Sequence, residues 1–359
     1  MRYLFIVQGE GRGHLTQAIA LSGMLRRNGH EVVEVLLGES NVREIPGFFK
    51  EKIGAVVHTF ATPSFKYKKN NKQVDLLNSI FFNAEIRQLN KYQKSIRFIY
   101  ERISVQKPDS VINFYEILSG LTRFLYALKV PFIHIGHQFL LNHPDYRFGK
   151  GNRHDLRLLR LHVLLNNVGA TRNLALSFYP LRDYPDEQIT VVPPLLRKEV
   201  LEAQPSEGDY ILVYMLNPGY EEEIREWHRR NPRVRLYCFW DKKQAPEEWV
   251  IDDYLTFFTI DDAKFIRYMA GCKGYVSTAG FESICEAFYL DKPVMVIPSH
   301  VEQEVNAQDA ASTGYGIASS RFDIDKLIAF IDRRPPANSL FRSWADSAET
   351  VFLRLLAAH

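Results

Sequence analysis

The stretch from Gly274 to Gln308 limits what the chain can fold into more than any other. It reads GYVSTAGFESICEAFYLDKPVMVIPSHVEQEVNAQ. Tyr275 and Val276 form a short apolar strand, Ser277-Thr278-Ala279-Gly280 a small-residue turn, and Phe281 to about Tyr289 a helix. Asp291-Lys292-Pro293 ends that helix, because proline lacks an amide donor and restricts the residue before it. Val294 to Ile297 is a second apolar strand, closed by Pro298, and a polar loop then opens another helix. A strand that enters a helix through small residues leaves the first helical N–H groups unpaired, and with the helix dipole they favour an anion such as a phosphate. Glu286 lies about one and a half turns into that helix at ~3.6 residues per turn. Glu302-Gln303 follows the next strand, at the sheet end where α/β proteins bind ligands. A phosphate seat with a carboxylate and a polar pair around it points to a ligand carrying both phosphate and sugar.

The rest of the chain agrees with a soluble α/β protein. Its 359 residues suffice for two domains. A net charge of +3 is too mild to argue for a nucleic-acid partner. Cys238, Cys272 and Cys285 have neither paired spacing nor a nearby histidine cluster, so they read as buried thiols rather than a zinc site or disulfide frame. The strand Tyr3–Val7 starts at once, leaving no room for a signal peptide, and no apolar run approaches a bilayer-spanning length. These features point to the cytoplasm, with a peripheral position at the inner membrane face left open.

In the first half, Tyr3 to Val7 is followed by Gly9-Glu10-Gly11-Arg12-Gly13-His14, a helix from Leu15 to about Arg27, Asn28-Gly29 as its close, and a strand from Glu31 to Leu37. A right-handed parallel crossover is expected. The glycine loop has three readings. It is a tight turn with no ligand; or it binds a dinucleotide, with Glu39 on the ribose, although that fingerprint wants a glycine where His14 stands; or its backbone approaches a ligand while His14, at the helix start, acts as a general base. Further strands end at Tyr115-Glu116 and at Gly136-His137-Gln138, on the same sheet rim as His14. Taken singly, each of these polar residues reads as structural; together beside a glycine loop they mark a candidate site.

Between Pro63 and Ile103 the chain is basic and aromatic, and a long helix is expected from Val74 to Arg102. The Lys66–Lys72 segment reads as a solvated loop, a mobile flap over an acceptor, or a weak, salt-sensitive patch for anionic headgroups. A helix from His154 to Asn167 and strands at Asn173–Ser177 and Gln188–Val192 complete this half. The Val192-Pro193-Pro194 break and the polar run through Gly208 mark the boundary, giving domains over 1–195 and 196–335, with the terminal segment 336–359 packing back on the first. The second half opens with a strand at Tyr210–Tyr214 and the loop Leu216-Asn217-Pro218-Gly219. Strands at Arg235–Trp240 and Tyr254–Phe258 follow, then Thr259-Ile260-Asp261-Asp262 and a helix to Gly271. A closing helix is expected from Leu340 to Leu356.

Four features together resemble the GT-B glycosyltransferases, nearest the group that holds the lipid II-forming N-acetylglucosaminyltransferase and the UDP-glycosyltransferases. They are the Gly9–His14 loop; Thr259-Ile260-Asp261-Asp262 ahead of a helix and strand; Ser277-Thr278-Ala279-Gly280-Phe281-Glu282 with Glu286; and the Pro298–Ala307 segment with Glu302-Gln303 and Asn306-Ala307. The resemblance implies two Rossmann-like α/β domains facing a cleft. It implies that Ile260 meets a uracil through its backbone, that Ser277, Thr278, Gly280, Phe281 and Glu282 surround the diphosphate, and that Glu286 binds ribose. Glu302 and Gln303 would hold the donor sugar, with Asn217 also on the donor side. Gly11, Gly13, Glu116 and Gln138 would line the acceptor side. His14, or His137 on the rim, would be the base.

The function expected is therefore inverting, metal-independent transfer from a UDP-sugar to a hydroxyl of a glycan, a lipid-linked acceptor or a small molecule, with no cofactor. A non-hydrolysing UDP-sugar epimerase, a non-catalytic nucleotide-sugar binder and a nicotinamide dehydrogenase remain as alternatives.

Overall fold

The computed structural model describes residues 1–39, 45–64, 66–67, 74–75, 79, 82–83, 85–146, 153–215, 218–242, 244–333 and 339–357. Apolar runs with no polar alternation give strands that are covered on both faces. Among the described residues these strands assemble into two seven-stranded sheets. The first contains β1 (Arg2–Gln8), β2 (Glu31–Glu39), β3 (Val57–Ala61), β6 (Ser110–Phe114), β7 (Phe132–Gly136), β8 (Arg172–Leu176) and β9 (Ile189–Val192), ordered 3-2-1-6-7-8-9. All of its pairs are parallel. The short antiparallel ribbon of β4 (Lys66–Tyr67) and β5 (Val74–Asp75) stands apart.

The second sheet contains β10 (Tyr210–Met215), β11 (Arg235–Trp240), β12 (Glu248–Val250), β13 (Leu255–Thr259), β14 (Gly274–Ser277), β15 (Val294–Val296) and β16 (Gly316–Ala318). Its order is 12-13-11-10-14-15-16, parallel except for the edge strand β12. In each sheet the first strand is an inner one and the order reverses beside it. Such switch points open crevices at the carboxyl ends of the strands.

Three expectations change. Val74 and Asp75 lie in the β4–β5 ribbon, and the helix runs over Ile86–Gln106 instead of starting at Val74. Asn83 explains the delay. Its amide donates to the Ser64 and Ser79 carbonyls, and its oxygen accepts from the Tyr92 hydroxyl at 2.6 Å, so Ser79, Phe82 and Asn83, themselves helical, are tied to Ser64 ahead of the bend at Glu85. The closing helix is two helices, Ser339–Asp346 and Ala348–Ala357. The Ser347 hydroxyl donates to the Trp344 carbonyl at 2.6 Å, a local bond that competes with helix continuation. The edge strands β3 and β12 have no counterpart in the sequence reading; both are short and neither is fully buried.

The two sheets and their helices share one apolar cluster that runs from Tyr3 and Phe5 to Phe281, Phe288 and Phe352. Phe178, after β8, lies 4.7 Å from Phe281 and 5.6 Å from Phe288, between ring centres. The final helices close back on the first half. The Trp344 indole donates to the Ser177 carbonyl, and Arg27 pairs with Glu349 at 2.7 Å.

Candidate active site

Two helices begin face to face between the sheets. The first, Arg12–Arg27, follows β1 with Gly11 as its N-cap; the second, Phe281–Tyr289, follows β14 with Gly280 as its N-cap. Neither N-cap has a side chain that could accept from the helix, so the first N–H groups of both point at the cleft without a side-chain cap. The turn before the second helix carries Ala279 at φ 68°, a left-handed conformation that costs an L-residue roughly 1–2 kcal/mol. Asn306 secures it by donating to the Ala279 carbonyl at 3.1 Å. Tyr115, in the turn after β6, is also left-handed at φ 58°. Strained turns of this kind collect at functional sites.

His14 is the third residue of the first helix and is buried. Its ring stacks on Tyr115 at 5.7 Å, and its Nδ1 lies 3.3 Å from the Gln17 side-chain oxygen. Because that oxygen can only accept, Nδ1 carries the proton. Burial lowers the His14 pKa to about 4, so the ring is neutral at pH 7. The Gln17 amide nitrogen donates to the Glu282 carboxylate across the gap between the two halves. Glu282 lies against Gly13, where a Cβ would run into its carboxylate. A side chain at position 13 would therefore push the Glu282 carboxylate aside. Burial pushes the Glu282 carboxyl up to about 7.

His137, at the end of β7, donates from Nδ1 to the Leu176 carbonyl at 2.8 Å and stacks on Phe281 at 4.0 Å. It is buried, with Asn306 beside it, and joins the halves through ring contact. Its neighbour Gln138 donates to Glu302 at 3.0 Å, bringing an acceptor-side and a donor-side residue together. Gln303 turns the other way, and its oxygen accepts from the Ser299 amide and hydroxyl. Ser277 and Ser283 face each other at 3.4 Å beneath the turn, and Thr278 is buried. Glu116 caps the helix Ile117–Leu125, accepting from the Leu118 amide and the Thr62 hydroxyl; burial raises its pKa to about 7. Ile260 is half-buried between β13 and the helix Asp262–Gly271. Asn217 lies outside the described residues, as do Lys68–Lys72.

Glu286 is engaged in an ion pair. Arg197, three residues past the Pro193-Pro194 break, grips both of its oxygens at 2.6 and 2.8 Å and also pairs with Asp262. Lys52, from the first half, bridges Asp262 and Glu199 at 2.6 Å each. The sequence reading did not single out Arg197, Lys52 or Gln17. Gln17 had a signal, since three residues after His14 puts it on the same helix face. Arg197 and Lys52 had none. A further buried group, Asp309, accepts from the Tyr146 and Tyr179 hydroxyls at 2.9 and 2.7 Å and again crosses between the halves.

The same two-sheet arrangement recurs in solved glycosyltransferases. The glycotransferase of kitacinnamycin superposes with a TM-score of 0.66 at 14% identity, over 99% of this chain and 98% of that one. Phytolacca americana UGT2, solved with UDP-2fluoro-glucose and pterostilbene, gives 0.62 at 14% identity, over 99% of each chain. Acinetobacter baumannii MurG gives 0.55 at 15%, over 100% of this chain and 99% of that one. The fold is therefore that of the two-domain GT-B glycosyltransferases. The family model for glycosyl transferase family 1 matches residues 1–335, and the chain belongs to that family. An uncharacterized glycosyltransferase of Methanosarcina acetivorans is 24% identical over 343 residues, 88% of this chain and 83% of the relative. The protein is a glycosyltransferase. No helix among the described residues is long and apolar enough to cross a membrane.

Proposed function

We propose that this glycosyltransferase moves a sugar from a UDP-sugar to an acceptor hydroxyl with inversion at the anomeric carbon. One observation carries the reading: an uncapped helix start after β14 faces a neutral histidine on an uncapped helix start after β1. The diphosphate would sit on the amides of Gly280 and Phe281, near Ser277 and Thr278, and the helix dipole would offset the charge of the leaving group without a metal ion. Glu302 and Gln303 would take the sugar hydroxyls. Ile260 would lie against the base, and Glu286 would bind the ribose once Arg197 shares or releases its oxygens. His14 would accept the acceptor's proton at Nε2, which has no protein partner among the described residues. His137, with Nδ1 on a backbone carbonyl and its ring against Phe281, would hold the two halves together at the reacting centre. Inversion follows from a single in-line displacement, with the base and the leaving group on opposite faces of the sugar.

The test is a thermal-shift panel of UDP, TDP, GDP and NAD on the full chain. A shift of several degrees for UDP alone is expected. An equal response to NAD, or none to any nucleotide, would remove the donor assignment.

A further inference from the structure

The catalytic reading leaves Gln17 and Glu282 without a task. We propose that they are positioning residues for His14, with the Gln17 amide relaying a carboxylate from the second half of the protein to the imidazole of the first. The inference rests on His14 acting as the base.

The relay has one direction. His14 Nδ1–H donates to the Gln17 oxygen, and the Gln17 nitrogen donates to Glu282. Turning the Gln17 amide over would set its oxygen against the Glu282 carboxylate, so while Glu282 is ionised the amide keeps its oxygen on the His14 side. The ring is thereby fixed with its proton on Nδ1 and its Nε2 lone pair free. Gln17 is buried, so its amide cannot be satisfied by water. Gly13 provides the room, because any side chain there would displace the Glu282 carboxylate.

In the transfer step the acceptor O–H bond breaks and its proton passes to His14 Nε2. The oxygen forms a bond to the anomeric carbon as the bond from that carbon to the diphosphate oxygen breaks. The electron pair of that bond leaves with UDP. The imidazole becomes imidazolium, and its Nδ1–H stays on Gln17, whose dipole is aligned by Glu282. An orienting partner of this kind holds the tautomer and stabilises the charge that forms. His14 and Gln17 belong to the first half and Glu282 to the second, so the relay exists only while the two halves are together. Base competence is thus tied to domain closure by three side chains, and an open enzyme holds a histidine with no fixed tautomer. This limits activation of water before the donor is enclosed.

Long-range 1H–15N correlation spectra of the full chain test the relay directly, with the His14 signals identified by their loss in His14→Ala. The wild type is expected to show His14 protonated at Nδ1. Gln17→Met keeps the side-chain volume and removes both bonds, and Glu282→Gln removes the charge. Gln17→Met is expected to shift His14 toward the Nε2–H form and to slow UDP release from UDP-glucose by about 10- to 100-fold. UDP affinity should stay within about twofold, and adding His14→Ala should cost nothing beyond His14→Ala alone. A wild-type His14 protonated at Nε2, or a tautomer unchanged in both Gln17→Met and Glu282→Gln, overturns the relay. Full transfer by His14→Ala overturns the base reading itself, whatever the tautomer.

Discussion

The two strand–turn–helix units that face each other have the same plan and opposite contents. The first reaches its helix through Gly9, Gly11 and Gly13, with Gly11 extended at φ −107°. The second uses Ser277-Thr278-Ala279-Gly280 and forces Ala279 to φ 68°. Both leave helix amides uncapped. Only the first places a titratable ring, His14, in its opening turn, whereas the second sends Glu282 back toward the first. In the proposed mechanism the same backbone device would serve as an anion seat in one half and carry the base in the other, and the side chain in the first helical turn would decide which. The largest expected effect breaks this division. His14→Ala should slow transfer by about 10²–10⁴-fold, the usual contribution of a general base, with UDP affinity within about twofold by titration calorimetry. Loss of UDP binding with transfer retained would show that the first unit belongs to the donor seat.

The units also differ in how they are buttressed. Glu286, under the second, is held by Arg197, which also meets Asp262. Among the described residues no ion pair lies under His14, which meets Tyr115 and Gln17. Arg197→Ala leaves the buried Glu286 carboxylate without its cation, while Asp262 keeps Lys52. Breaking one partner of a buried pair typically costs about 3–5 kcal/mol, so the midpoint of denaturant unfolding should fall sharply. A loss under about 1 kcal/mol would mean that water reaches Glu286 and that the pair is not buried in solution.

A third comparison concerns the two helix caps on the first sheet's rim. Gly11 gives its helix no side chain, and Glu116 gives its helix a buried carboxyl. Burial, with Glu10 nearby as a lesser cause, raises the Glu116 pKa from its ordinary value to about 7. The folded protein therefore binds this proton more tightly than the unfolded chain. Its stabilising effect is complete below about pH 4.5 and is lost as the pH rises through about 7. Glu116→Gln should lessen the fall of stability across that window, which Glu282 shares, and favour the variant above it by an amount on the order of 3 kcal/mol. Urea midpoints at pH 5 and pH 8 read the sign, and an unchanged slope would show that Glu116 is ionised throughout.

What the sequence revealed follows from how local each cause is. The strands β1, β10, β11 and β14 and the helix Phe281–Tyr289 rest on continuous apolar runs bounded by glycine, proline or a small-residue turn, and they were legible to within a residue or two. The Val74–Arg102 pattern misled because Val74 and Asp75 pair in a ribbon and Asn83 is tied to Ser64 and Tyr92, which no periodicity records. His14, Glu282, Glu286 and Glu302 were named from the turns that carry them. Their engagements were not legible. Arg197 on Glu286 joins residues 89 apart, and Gln17 on Glu282 joins residues 265 apart. Such pairings exist only after both sheets have formed and met.

The smallest expected effect bears on the turn that makes the second unit distinct. Ala279 is buried, its Cβ is held at positive φ, and its carbonyl is fixed by Asn306. Ala279→Gly removes roughly 1–2 kcal/mol of left-handed strain. It also frees the unfolded chain, which returns about 0.4–1 kcal/mol to that side. The balance runs from nothing to about 1.6 kcal/mol in favour of the glycine, a rise in Tm of a few degrees at most. UDP affinity decides what the strain is for. If the alanine only fills space, the variant binds UDP as the wild type does and is slightly more stable. If the turn must be stiff to aim the Gly280 and Phe281 amides, the variant is more stable and binds UDP more weakly. A variant both less stable and weaker in UDP binding would show that the Ala279 methyl is held by packing among Phe281 and its neighbours, and that this contact outweighs the strain.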